Sequence, residues 1–400
     1  MPFPYSSRPI VKSLLISGQE FPPRKGGIAN YMASIAAALG PEQVCCLTGV
    51  RAESNGHRAA EQAHTYRRPA AFAKPWHIQA VGFSAAMAEI LLRERPRVAQ
   101  ISTVHDAHMG MWLRQWFGIP YVVYAHGNEI LGVGRSSTWQ KPRLSLMNAD
   151  RVLAVSRFTA RLLDEIGVPA QKIEIIHPGC DIERFHPREP NDDLREKLLG
   201  TNAKRRVILS VGNLVSRKGH DVVIRALPRL MKKIPNVVYL IAGDGPYRKE
   251  LEDLAAALGV RERVILAGQV SHDSLPDVYA LSDVFIMPSR AQLESCDVEG
   301  FGIVFLEAGA CGKPVIAGRS GGVEDAVLDG TTGILVNPVD SEEVAHALMR
   351  VLGDAHLAAR LGEQGRKRVV QEFDWKQVGS RVEEVLTSVV ARENTASGRP

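Results

Sequence analysis

The sequence predicts an α/β protein of two doubly wound, parallel-sheet domains, and three observations predict it. Short β-branched or aliphatic runs alternate with helical patterns along the chain, which implies parallel strands covered by helices on both faces. With 400 residues, 45% of them hydrophobic and 23% charged, the chain can fill two cores of ordinary domain size. A stretch rich in proline and acids, "HPGCDIERFHPREPNDD" at 177–193, separates two such series and is the linker candidate.

In the first series the strands read from "VKSLLISG" (11–18), "VAQIST" (98–103), "PYVVYAHG" (120–127) and "RVLAVS" (151–156). In the second they read from "RVILSVGN" (206–213), "VVYLIAGDG" (237–245), "RVILAGQV" (263–270), "DVFIMPS" (283–289) and "KPVIAG" (313–318). The chain closes on an amphipathic helical pattern over 375–392, with Val378, Val382, Val385 and Val389 at helical spacing. No strand follows it, so periodicity leaves open whether it covers its own sheet or returns to the first domain.

Composition narrows the function classes. A net charge of +5 favours phosphate-bearing ligands or an anionic membrane surface without requiring either, and it is too weak to indicate nucleic acid. The five cysteines, Cys45, Cys46, Cys180, Cys296 and Cys311, contain no CxxC pair, so neither a disulfide framework nor a zinc site is suggested and a reducing cytoplasm fits. The first apolar run is broken by Lys12 and reads as a strand, not a signal peptide. No uninterrupted apolar run approaches the about 20 residues that span a bilayer, so membrane contact is expected to be peripheral.

Doubly wound sheets bind ligands beyond the C-terminal strand ends, where loops and helix N-termini supply free N–H groups. The loops that follow strands therefore nominate the site. "PPRKGGIANYM" places Gly26 and Gly27 before a helix, His126 leaves the strand at "YAHGNE", Arg217 and Lys218 lie in "GNLVSRKGHD", and "AGDG" carries Gly243, Asp244 and Gly245. Each has a plain reading, as a turn, a solvated histidine, a solvated basic pair or a turn; their shared position after strands is what raises them.

The stretch "CDVEGFGIVFLEAGACGKPVIAG" (296–318) poses the sharpest question, because Glu299 and Glu307 stand in a run otherwise made of glycine and hydrocarbon. A buried carboxylate is costly without a partner. Glu299 can cap the following helix and Glu307 can pair with Lys313, or both can face a ligand at a helix end opened by Gly300 and Gly302.

Glu299 and Glu307 form the E-x7-E pattern of retaining glycosyltransferases of family 4, and "SVGNLVSRKGHD", "AGDGP", "DVFIMPS", "SGGVEDAV" and "DGTTGILV" follow in that family's order. The chain resembles that family over nearly its whole length. "FPPRKGGIANYM" and "HGNE" are similar to the bacterial phosphatidylinositol mannosyltransferase branch, which uses GDP-mannose. The resemblance implies a GT-B fold: two Rossmann-like domains, 1–186 on the acceptor side and 187–374 on the nucleotide-sugar side, facing across a cleft, with the helix 375–392 crossing back to the first.

It also implies roles. Glu307 would hydrogen-bond the ribose, Glu299 the donor sugar, and the N–H groups of Phe301, Gly302 and Ile303 would hold that sugar beside Gly300. Arg217 and Lys218 would grip the diphosphate near Gly27, with Gly26 and Gly212 in the same donor loops. His126 would sit at the reacting centre, and 243–245 with Gln269 and Val270 would shape the nucleotide pocket. The catalytic set is then His126, Glu299, Arg217 and Lys218.

No cofactor is expected, and since the chain has no Asp-x-Asp triplet no divalent metal is expected either. The expected partners are a nucleotide-sugar and a glycan or lipid-linked acceptor, with anionic membrane contact through Arg24, Lys25, Arg51, Arg58, Arg67, Arg68 and Lys74. The expected location is the cytoplasm or the inner face of its membrane. A UDP-sugar donor, a GT-B nucleotide-sugar epimerase and a non-catalytic nucleotide-binding module are the alternatives.

Overall fold

A computed structural model describes residues 11–24, 26–50, 63–132, 140–200, 205–292 and 294–397. The chain divides into two compact units. The first holds the residues up to Val155, Thr159–His177 and everything from Trp375 on; the second holds Ser156–Phe158 and Pro178–Asp374.

Seven strands form the sheet of the first unit: β1 (Ser13–Ser17), β2 (Val44–Thr48), β3 (His64–Arg67), β4 (Val98–Ile101), β5 (Tyr121–Ala125), β6 (Arg151–Ala154) and β7 (Ile173–Ile175). They are parallel throughout, in the order β3-β2-β1-β4-β5-β6-β7. Connections wind one way from β1 to β3 and the other way from β4 on, so β1 and β4 flank the point of reversal. Every residue of β1, β2, β4, β5 and β6 is buried, as a sheet covered on both faces requires.

The second unit repeats the plan with β8 (Arg206–Val211), β9 (Val237–Ala242), β10 (Val264–Gly268), β11 (Val284–Met287), β12 (Val315–Gly318) and β13 (Gly333–Val336). The order is β10-β9-β8-β11-β12-β13, again parallel, and the reversal falls between β8 and β11. Both units are thus Rossmann-like, as expected. One core gathers around Leu14, Ile16, Phe83, Tyr121 and Val123, the other around Ile208, Leu227, Tyr239, Ile286 and Leu348.

The structure adds strands that the sequence analysis did not name, β2, β3, β7 and β13. "HTYR" of β3 is too polar to read as a strand, and it becomes one because Cys45–Thr48 of β2 offers its free edge. The terminal helix runs longer than expected, Trp375–Ser397, and belongs to the first unit, where it lies against the helix Gly27–Leu39. Its buried stripe is Val378, Val382, Leu386 and Val389, with Leu386 in the place expected for Val385, which is only half-buried. Glu383 accepts from Gln43 at 3.3 Å, and Glu393 pairs with Arg114 at 3.1 Å. Among the described residues no helix is long and apolar enough to cross a membrane.

Candidate active site

The reversal point of the second sheet is where the nominated residues gather. The loop after β8 carries Gly212, Arg217 and Lys218, the loop after β9 carries Gly243, Asp244 and Gly245, Gln269 and Val270 follow β10, and the segment from Glu299 to Ile303 follows β11. All lie beyond C-terminal strand ends on one edge, where open α/β sheets bind ligands.

The two glutamates find partners that sequence spacing did not offer. Lys218 Nζ donates to Glu299 Oε2 at 2.6 Å and Arg217 Nη1 donates to the same oxygen at 2.7 Å. Arg217 Nε also meets Asp297 Oδ1 at 2.7 Å, and Ser289 Oγ lies 3.4 Å from Glu299 Oε2. Burial pushes the Glu299 carboxyl up, but Lys218 and Arg217 outweigh it and hold the group at about 2. Lys218 is 8% exposed, and its burial lowers its own pKa against the pull of Glu299.

The three side-chain contacts of Glu299, from Lys218, Arg217 and Ser289, all fall on Oε2, which leaves the lone pairs of Oε1 outside the ion pair. Lys218 uses one of its three donors on Glu299. The cluster can therefore take both an anion, on the cations, and a hydroxyl, on the carboxylate.

Glu307 stands in the helix Ile303–Ala310 and accepts from the Tyr279 hydroxyl at 2.7 Å. Its burial, only partly offset by Tyr279 and Arg184, raises its pKa. Neither plain reading of the two acids holds. The helix starts at Gly302 without a side-chain cap, and Lys313 donates instead to the carbonyls of Ala280 at 3.0 Å and Ser282 at 2.9 Å.

Two loops lock the site's shape. A Cβ on Gly243 would lie 1.9 Å from the Gly212 carbonyl oxygen, so this glycine is required for loop-on-loop contact. Asp244 is turned to its own loop, accepting from the Gly245 N–H at 2.9 Å. Gly322, in "SGGVED", donates its N–H to the Glu299 carbonyl at 2.9 Å, and a Cβ there would lie 1.8 Å from Gly300 O. Arg290 joins the loops after β8 and β11, bonding Ser216 Oγ at 2.9 Å and Asp221 at 3.1 Å.

Sequence reasoning missed Asp297, Ser289, Arg290, Tyr279 and Gly322 as parts of this edge. Asp297 was within reach, two residues before Glu299. Tyr279 was not, because only the packing of Leu275–Ala280 brings its hydroxyl to Glu307.

Gly26, Gly27 and His126 belong to the first unit. Gly26 and Gly27 open the helix Gly27–Leu39, with no side-chain cap and nothing within 4 Å of a Cβ at either position, so packing does not require glycine there. His126 follows β5, its ring Nε2 lies 2.8 Å from Ser102 O, and its backbone N–H donates to Glu129 Oε1 at 2.6 Å. A carbonyl only accepts, so Nε2 carries the hydrogen and Nδ1 of the neutral ring is the acceptor. The Tyr31 ring meets His126 edge-on at 5.7 Å.

The expected basic surface is more committed than its sequence suggests. Arg67 donates to the carbonyls of Pro22 at 3.1 Å and Val50 at 3.0 Å, Arg68 pairs with Glu89 at 2.6 Å, and Arg24 meets Glu20 at 3.6 Å. Lys74 is exposed, and Lys25, Arg51 and Arg58 lie outside the described residues.

Comparison with known proteins agrees with this architecture. The sequence family described as Glycosyltransferase Family 4 matches residues 25–184, and that described as Glycosyl transferases group 1 matches residues 192–368. A GDP-mannose-dependent alpha-(1-6)-phosphatidylinositol monomannoside mannosyltransferase of Mycolicibacterium smegmatis is 33% identical over 382 residues, 94% of this chain and 98% of that protein. A GDP-mannose-dependent monoacylated alpha-(1-6)-phosphatidylinositol monomannoside mannosyltransferase of Corynebacterium glutamicum is 31% identical, covering 94% and 98%. Among solved structures, Anabaena HepE in complex with UDP and glucose superimposes with a TM-score of 0.76 at 23% identity, covering 94% of this chain and all of that one. Two Rossmann-like units, the edge built around Glu299 and Glu307, and these relatives lead to one assignment: the chain belongs to glycosyltransferase family 4 and is a GT-B glycosyltransferase.

Proposed function

We propose that this protein is a retaining, metal-independent hexosyltransferase that moves mannose from GDP-mannose to a glycan, glycolipid or lipid-linked acceptor. The observation that carries the reading is the pairing of Lys218 and Arg217 with one oxygen of Glu299 at the reversal point of the second sheet. As the sugar–phosphate bond breaks, negative charge grows on the leaving diphosphate, and preorganised cations stabilise it more in the transition state than in the bound donor.

In this reading the diphosphate takes the remaining donors of Lys218 and Arg217. Glu299 Oε1 accepts from a hydroxyl of the donor sugar, and the N–H groups of Phe301 to Ile303 support that sugar. Glu307 accepts from the ribose. His126 offers Nδ1 to the sugar near the reacting centre, and Gly27 lets the backbone approach the diphosphate. The acceptor attacks from the face the diphosphate leaves, and a leaving phosphate oxygen takes the acceptor's proton, which retains the anomeric configuration.

The choice of mannose and GDP rests on the mannosyltransferases of similar sequence. A second reading, the same chemistry with a UDP-sugar, is favoured by the fold's likeness to a protein solved with UDP and glucose. Melting the protein with GDP, UDP, ADP and their sugars in chelator, beside Lys218→Ala, tests both. A GDP-selective upward shift that Lys218→Ala abolishes is the expected outcome, a UDP-selective shift moves the donor to the second reading, and no shift with any nucleotide removes the donor site. Turnover of the sugar nucleotide only when acceptor is added separates transfer from epimerisation.

A further inference from the structure

Two residues after Lys218, the fully buried His220 opens the helix His220–Met231. Its ring Nδ1 lies 3.0 Å from the Tyr239 hydroxyl, that hydroxyl lies 2.8 Å from Ser210 Oγ, and Ser210 Oγ bonds the Ile286 carbonyl. The order of protons along this chain is forced. A carbonyl only accepts, so Ser210 spends its one hydrogen on Ile286; Tyr239 must then donate to Ser210, and His220 Nδ1–H to Tyr239. Burial, and then the neighbouring Lys218, hold the ring's pKa at about 3 against the smaller pull of the Asn213 backbone, so the ring is neutral and its Nε2 is bare. That Nε2 is buried without a partner. An orphaned buried nitrogen costs stability that a hydrocarbon side chain of similar size would not, so filling the core does not account for histidine here.

The chain of bonds lies where the sheet opens. Backbone pairing of β8 with β11 ends at Leu209 and Phe285, although the strands run on to Val211 and Met287. Ser210 and Ile286 are the next residues, and there the side-chain bond takes the place of the ladder. The turn Ser216–Lys218 that follows β8 is held to the far side of the same opening twice. Arg290 N–H donates to the Arg217 carbonyl at 2.8 Å, and a Cβ on Gly219 would lie 2.1 Å from the Pro288 carbonyl oxygen. His220 adds a third tie, from the end of the turn through β9 and β8 to β11.

We propose that His220 is a positioning residue for the diphosphate grip, tying the turn that carries Arg217 and Lys218 to β11 where the ladder stops and so fixing Lys218 at 2.6 Å from Glu299. Being neutral, the ring does this without setting another charge against Lys218. Displacing a preorganised group by about 1 Å is enough to lose much of its effect. This role for His220 rests on the reading of Lys218 as a residue that binds the donor's diphosphate, and not on the identity of the sugar, the base or the acceptor.

Titration calorimetry of the full chain with GDP and with UDP, in chelator, tests the role on the group that both nucleotides share. His220→Leu and Tyr239→Phe should each weaken the nucleotide that binds by about tenfold. His220→Asn, whose amide can donate from the place of Nδ1–H, should stay within about threefold of the parent. In a Lys218→Ala background His220→Leu should change affinity no further, because a residue that acts through Lys218 then has nothing left to position. A residue that only supports the fold would cost the same in both backgrounds. Equal losses in the two backgrounds, parent-like affinity of Tyr239→Phe, or His220→Asn as weak as His220→Leu would each overturn the proposal. Tyr239→Phe keeps the imidazole and remains decisive where a His220 variant does not fold. A parent that binds neither nucleotide, or a Lys218→Ala that binds as tightly as the parent, overturns the diphosphate reading itself and this role with it, an outcome distinct from the failure of His220 alone.

Discussion

Glu299 owes its acidity to cations contributed by another strand end. Its pKa falls from 4.5 to about 2 because Lys218 and Arg217 outweigh the cost of burial, and a carboxyl whose folded pKa is depressed stabilises the fold above its unfolded value and loses that contribution as pH falls toward the folded one. The contribution is therefore complete above about pH 4.5 and lost on the way to about pH 2. Glu299→Gln should be destabilised at neutral pH by about 3 kcal/mol, since it leaves the buried Lys218 without its anion and Arg217 with Asp297 alone. Its acid limb should be shallower than the parent's between those pH values, as equilibrium unfolding against pH will read. Lys218→Ala should lower kcat by about two to three orders of magnitude, the effect of removing one preorganised donor to a developing anion, with the fold retained. A parent-like kcat in that variant would remove Lys218 from the chemistry. Most of these residues could be read from the sequence because family motifs and strand-end position both point to them. Tyr279 could not, because its role depends on which oxygen lies within about 3 Å of its hydroxyl, a distance set by packing between elements.

At the scale of elements, the site depends on loops that touch backbone to backbone. A Cβ at Gly322 would lie 1.8 Å from Gly300 O, so Gly322→Ala must shift the segment that carries Glu299. It should cost about 2 kcal/mol of stability and lower activity by more than that loss of folded protein explains. Activity per folded molecule, from paired melting and rate measurements, checks it. The terminal helix makes a second case. Leu386 is 2% exposed on the first unit, and Leu386→Ala should cost about 3 kcal/mol in denaturant unfolding, whereas Val385→Ala, on the half-buried flank, should cost under half as much. Heptad-like valine spacing pointed to Val385. The helix is instead rotated so that Leu386 meets the sheet cover, a choice made by the surface it lies on and invisible in its own periodicity.

At the scale of the whole molecule, a donor bound to the folded state alone should stabilise it by about 2.7 kcal/mol at a concentration a hundredfold above its dissociation constant. That shift, its nucleotide selectivity and its loss in Lys218→Ala are the measurements that bear most directly on what the protein does. The sequence by itself determined two parallel-sheet domains, the strand ends that carry the candidate residues, and the family. It could do so because buried parallel strands need continuous apolar runs and the site residues sit at fixed offsets from them, both of which are one-dimensional patterns. Tertiary structure alone decided the partners of Glu299 and Glu307, the burial register of the terminal helix, and the edge strand made from "HTYR". Each of these depends on which surfaces remain uncovered after the sheets form, and no local pattern records that.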